Sequence, residues 1–369
     1  MDELDLLARA LPDAPPPSPE VVARARARLD GAPRPRPRRR PWMMWAPLAT
    51  AAVVALVFSL VTSLAPVPEA AKPPRRNQEL FDLADRIEKL PVRSGRYWRE
   101  SIVNGQYMSG GGYTLALSAG RETWVPRDAA DRVLTRTWVY SAQPATAADR
   151  RAWKAAGAPD QFKGHCGDSG SKDCKPVPVG EGPRGCVYWR SDHEGRYPNR
   201  TVGDFTMAEL AALPADPAEL TERLGAYHKA WVARGSKNSF EEFLPTAANL
   251  LGAPIGPAQR AAIIRMLAAL PTTKVVGPVT DPLGRKGLSV DLGVPGGTMT
   301  HSGKPSKDLP VYNRSILDPA TGTKLAEVSY AAREDKDWRV TEGEAMAFNA
   351  NESGWTQERP GRPKGCREK

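Results

Sequence analysis

The residues best suited to covalent chemistry gather in one short stretch, where Cys166, Gly167, Asp168, Ser169 and Gly170 follow His165 and precede Cys174 and Cys186. A nucleophilic serine in a glycine-flanked turn needs a histidine as base and a carboxylate that orients the histidine. No histidine stands well upstream of Ser169: His165 is too near to serve, and His193, His228 and His301 follow it. The chain also lacks a GxSxG elbow, a GxxxxGK[ST] phosphate loop, an HExxH pair and EF-hand spacing. No catalytic, cofactor-binding or metal-binding residue is therefore assigned, and an enzyme is not expected. The four cysteines, Cys166, Cys174, Cys186 and Cys366, predict two disulfides with three connectivities. In one of them Cys166 and Cys174 close a short loop while Cys186 holds the polar tail through Cys366. A zinc site using His165 or His193 is the alternative, but no CxxC spacing supports it.

Disulfides need an oxidising compartment, and a second feature supplies one. Pro41 to Pro68 carries no charge, and its apolar centre, Pro47 to Ala65, spans 19 residues. As a helix that centre is about 28 Å long, which matches a hydrocarbon core of about 30 Å. Arg34, Arg36, Arg38, Arg39 and Arg40 press against its front edge, which keeps the N-terminus on the cytoplasmic side, and Trp42 and Trp45 suit the headgroup zone. Ser63-Leu64-Ala65 resembles a signal-peptide cleavage site, but the charged region ahead is long and Pro66 follows the cut position. The reading is an uncleaved signal anchor in the cell membrane, single-pass, with the C-terminal domain extracytoplasmic. The segments are 1–41 cytoplasmic and Pro/Arg-rich, 42–65 transmembrane, 66–76 Pro-rich linker, and 77–369 extracytoplasmic domain.

The formal charge is +10. Residues 1–40 hold nine Arg and six Asp or Glu, so +3 lies inside and +7 outside. Anionic lipids of the inner leaflet account for the inner arginines, and the outer excess is scattered along the chain, so the plasma membrane is a partner and nucleic acid is not. Leu4, Leu7 and Leu11 share one face of a short amphipathic stretch, either a docking peptide or a solvated tail.

Periodicity beyond the linker predicts an α+β domain. A helix is expected over Asn77–Leu90, then strands over Arg96–Val103, Tyr113–Leu117, Glu122–Val125 and Leu134–Tyr140. Their short connections imply an antiparallel meander. Trp98, Trp124 and Trp138 give it an aromatic face that fills the core against the helices or, alternatively, lines an apolar ligand cavity. Helix starts follow at Thr206 with Glu209, at Asp216-Pro217 with Glu219, at Ser239 with Glu242 and at Pro257. Two hairpins close the pattern, turning at Asp281–Gly284 and Asp318–Gly322.

The runs Arg260–Pro271, Val275–Asp281, Gly284–Gly287 and Leu317–Gly322 resemble a recurrent stretch in an actinobacterial family of single-pass membrane proteins of uncharacterised function. That likeness implies a short Pro- and Arg-rich cytoplasmic segment, one span and an α+β ectodomain, often beside sigma-factor genes. The expected fold is thus a curved antiparallel sheet packed on helices, half-barrel-like, behind a single transmembrane helix. The expected function is a sensor or regulatory interaction protein with a cytoplasmic regulator as partner; the alternative is a tethered carrier of an apolar envelope ligand.

Overall fold

Turn-punctuated extended segments build most of the molecule, here a computed structural model that describes residues 76–369 apart from 129, 163–175, 181–182, 192–195, 198–204, 300–307, 337, 339, 359, 362 and 369. The expected membrane span 42–65, its flanking Arg38, Arg39, Arg40, Trp42 and Trp45, and the Cys166–Cys174 stretch with Ser169 lie outside the described residues. Among the described residues no helix is long and apolar enough to cross a membrane.

The long strands are β1 (Tyr97–Gly110), β2 (Tyr113–Pro126), β3 (Val133–Tyr140), β7 (Pro183–Ser191), β10 (Lys274–Thr280), β11 (Lys286–Met299), β12 (Leu309–Leu317), β13 (Lys324–Ala331) and β14 (Ala345–Thr356). Short ones are β4 (Gln143–Pro144), β5 (Gln161–Phe162), β6 (Val177–Pro178), β8 (Arg196–Tyr197), β9 (Phe205–Thr206) and β15 (Arg367–Glu368). One sheet of 11 strands runs β10-β11-β12-β13-β14-β1-β2-β3-β7-β15, with β4 added to β2. Every pairing in it is antiparallel except β15 on β7. The molecule is therefore a mixed α+β protein dominated by a large antiparallel sheet.

Helices α1 (Gln78–Ile87), α2 (Ala147–Ala155), α3 (Met207–Ala211), α4 (Pro217–Ala233), α5 (Phe240–Phe243), a 3-10 helix (Leu244–Gly252) and α6 (Pro257–Ala269) fill the connections. Local chemistry starts several of them. Thr206 with Glu209 and Ser239 with Glu242 each form a reciprocal capping box, and Asp216 accepts from the amides of Ala218 and Glu219 ahead of Pro217. Leu80, Leu83, Ala84 and Ile87 recur at helical spacing and are all buried. They join Leu220, Leu224, Phe243, Ile263, Ile264 and Leu267 in one core with Trp98, Val125, Val133, Val290, Leu292 and Leu317 of the sheet. Asn77, at φ 59°, leaves its own helix uncapped; its amide donates to the carbonyls of Ala268 and Thr273, each at 3.0 Å. It thereby satisfies a carbonyl at the end of α6 that has no partner within that helix.

Two expectations change. Tyr113–Leu117 and Glu122–Val125, read as separate strands, are one continuous β2. β14, not foreseen, is the central strand that joins β13 to β1.

Candidate functional site

Directly opposed residues of neighbouring strands point to the same side of a sheet, so the ladder register decides what each face carries. Trp98 is opposite Val125, whereas Trp124 is opposite Arg99 and Leu134, and Trp138 is opposite Gly120. Trp98 therefore faces the helices and the other two face away. The expectation that all three fill one face is corrected by this parity. Trp98 is buried against Trp355, ring centroids 5.4 Å apart, in the helix-side core.

On the opposite face the polar partners of the tryptophans form a ladder. Glu122, only 1% exposed, lies opposite Arg136 on β3 and diagonal to Arg99 on β1. Arg99 Nε donates to Glu122 Oε1, Arg136 Nη2 pairs with Oε2, and Arg99 Nη1 reaches Glu352 Oε1 of β14 at 3.6 Å. Charge thus alternates across four adjacent strands, Glu352, Arg99, Glu122 and Arg136. The Arg136 guanidinium also sits over both tryptophans, 5.7 Å from the Trp124 ring centroid and 5.2 Å from that of Trp138. Gly120 makes this possible. A Cβ there would lie 2.1 Å from the Trp138 indole, so the ring lies flat on the strand only because its partner has no side chain. The same device recurs where Phe348 lies on Gly105. A second arginine sandwich stands on β12 and β13, with Arg314 5.2 Å from the Tyr312 ring and 5.0 Å from Tyr330.

With two carboxylates set against two guanidiniums, the ladder compensates itself and offers no spare charge for a reacting group. Helical residues are absent from this face's cluster of Ile316, Ala326, Val328, Phe348 and Ala350. Arg285, at the β10–β11 turn, instead donates to the carbonyls of Asn351 (2.7 Å) and Leu325 (2.8 Å), while its Nε donates to the buried Asp281 at 2.7 Å. The same shielding pushes the Tyr107 phenol up to about 12, with Tyr330 and Asp281 adding to the effect.

The helix layer provides the larger concavity. A groove of about 550 Å³ runs between α1, α4 and α6, floored by Phe81, Leu244, Met266 and Leu270 and rimmed by Gln78, Asp85, Thr221 and Arg265. Arg265 donates to Asp85 at 2.7 Å and to Glu88 at 2.5 Å, and that bond holds the Glu88 carboxyl below its usual range. By contrast, the hollow between helices and sheet, lined by Leu80, Leu251, Ile264, Leu267, Val290 and Leu317, is about 10 Å³.

Two further groups lie outside the expected set. Tyr197 Oη donates to Glu100 Oε1 at 2.7 Å in the core, where burial pushes the Glu100 carboxyl up against the opposing pull of Tyr197 and Arg121. Arg260, on α6, is buried; loss of solvent lowers it to about 10, with Asp318 acting the other way. Cys186 and Cys366 are joined as a disulfide. His228 Nε2 donates to the Asn238 carbonyl, 2.8 Å away, and the ring packs on Phe240 and Phe243. Among the described residues no three His, Cys, Asp or Glu side chains gather as a metal site.

The chain matches no protein-family model, no curated protein and no solved structure. Function must be argued from the surface itself. Sequence reading missed the arginine–glutamate ladder; its signal is polar residues alternating with apolar ones in β1, β2 and β3, legible only once the strands are aligned.

Proposed function

We propose that this chain is a non-enzymatic envelope protein anchored by a single membrane helix over 42–65. Its N-terminus is cytoplasmic, and its extracytoplasmic domain works by contact with another molecule, as a sensor or regulatory interaction module. The cytoplasmic segment then reports to a regulator of the sigma-factor type. One observation carries the preference for contact over carriage: the space between helices and sheet is about 10 Å³, whereas the outer groove between α1, α4 and α6 is about 550 Å³. A cavity that holds an apolar ligand commonly needs several hundred Å³, which the space between helices and sheet does not supply. The groove also belongs to α1, the first element after the anchor.

The competing reading, an apolar-ligand carrier, has its own support. The hollow's lining is almost wholly aliphatic, and Arg285 reaches across β12 to the carbonyls of β13 and β14, as a half-barrel-like curvature would require. For a carrier the helices would have to lift from the sheet.

The test compares transcription profiles of a gene deletion complemented by the wild type or by Ala218→Trp, which obstructs the groove. An Ala218→Trp profile matching the deletion, with membrane insertion intact, is the expected result. A stoichiometric lipid co-purifying with the full chain, together with wild-type profiles for Ala218→Trp, overturns the contact reading. Alkaline phosphatase fused after residue 369 should be active and fused at residue 35 inactive; the reverse overturns the topology.

A further inference from the structure

The two outer edges of the sheet are finished differently. On β10, Lys274, Pro278 and a bulge between Val275 and Gly277, where φ is 126°, spoil the edge for any incoming strand. On β7, the run Gly185-Cys186-Val187-Tyr188-Trp189-Arg190 contains no proline and no lysine and is rich in strand-forming side chains. Its outer edge is met, among the described residues, by β15 alone. That strand has two residues and lies parallel, with Arg367 opposite Val187 and Glu368 opposite Tyr188.

So short a ladder cannot hold a chain end by itself. The segment from Gln357 to Cys366 that brings it there holds Pro360, Gly361, Pro363 and Gly365 and no large apolar side chain. By the strand order it must carry the chain from β14 past β1, β2, β3 and β7 to the outer edge, about 24 Å at the usual spacing of about 4.8 Å. Two contacts keep the end in position: the Cys186–Cys366 disulfide, and Tyr188 Oη donating to Glu368 Oε2 at 2.6 Å.

We propose that the outer edge of β7 is an acceptor for an extended peptide bearing a carboxylate opposite Tyr188, and that the segment Cys366–Glu368 is its occupant in cis, latched by Cys186–Cys366. The backbone groups of Val187 and Tyr188 supply the ladder and the Tyr188 hydroxyl selects the carboxylate, a strand-addition mode of recognition. Arg190, two residues from Tyr188 on the same side of β7 and outside the Glu122 ladder, favours that charge. A dithiol reductant opens the latch. Its thiolate attacks one sulfur of the bridge, forming a mixed disulfide and releasing the other cysteine as a thiol; its second thiol then displaces the first cysteine. The reductant ends as a disulfide and Cys186 and Cys366 each end protonated. This inference concerns a site that shares no residue with the α1–α4–α6 groove and stands independently of the function proposed above.

The test uses the full chain in detergent, oxidised, after dithiothreitol, and as Cys366→Ser. The probe is a fluorescent peptide of residues 361–369 with Cys366→Ser. Saturable binding to the reduced chain and to Cys366→Ser, none to the oxidised chain, and about tenfold weaker binding of a Glu368→Gln probe are expected. Hydrogen exchange at residues 186–190 should accelerate on reduction in the same samples. Unchanged exchange overturns the latch. Accelerated exchange without peptide binding overturns the acceptor, as does equal binding of the Gln probe. A reduced chain that dimerises through its own C-termini instead of binding the probe assigns the edge to a second copy and overturns the peptide partner.

Discussion

Trp98 and Trp138 lie two strands apart in one sheet, yet the first is sealed beneath helices and the second lies half-exposed on Gly120 with Arg136 over it. The helix side gains stability by removing apolar area from water. Around Trp138 the other side adds geometry: a missing side chain, a stacked guanidinium and a carboxylate held between two arginines. Identical residue types thus answer to different physics, and the register alone decides which. Stability should therefore tolerate damage to the open face far better than to the covered one.

The largest expected effect is on the covered side. Trp98→Ala should cost about 3–5 kcal/mol in urea unfolding, as for deletion of a buried large aromatic, and Trp138→Ala markedly less. Equal losses would break the contrast. Next is Glu122→Ala, expected to cost about 1–3 kcal/mol because Arg99 and Arg136 lose a buried acceptor but remain partly hydrated. Adding Arg136→Ala to it should cost little more if the ladder acts as a unit, which a double-mutant cycle measures. Ser239→Ala, which removes the cap of α5, should cost about 1 kcal/mol.

The smallest effect is a pH slope. The Glu100 carboxyl is raised above its ordinary 4.5 by burial. The folded chain keeps that proton where the unfolded chain has released it, so stability falls as pH rises from about 4.5 through the raised value. Glu100→Gln keeps an acceptor for Tyr197 and should flatten that decline, as thermal melts from about pH 5 to about pH 8 would register; an unaltered slope would assign the dependence elsewhere.

Helix starts were legible because their chemistry is local: Thr206, Asp216 and Ser239 each act within three residues of themselves. The hairpin turns at Asp281 and Asp318 were legible for the same reason. Faces were not. Gly120 read as a break in β2 because a glycine in isolation weakens a strand; its purpose appears only with Trp138 across the ladder. β14 was hidden because Ala, Asn and Gly dominate it, residues of low strand propensity, and pairing with β13 and β1 on both sides overrides that preference. The α1–α4–α6 groove was equally unreadable, since it depends on how three helices distant in sequence lie together.

Asn77 has a mechanical meaning. Any tension arriving along the chain from its N-terminal side enters the described domain at this residue, whose amide is bonded to Ala268 and Thr273. Pulling there loads those two bonds together with the first turn of α1, so the domain is gripped where the end of α6 and the root of β10 meet.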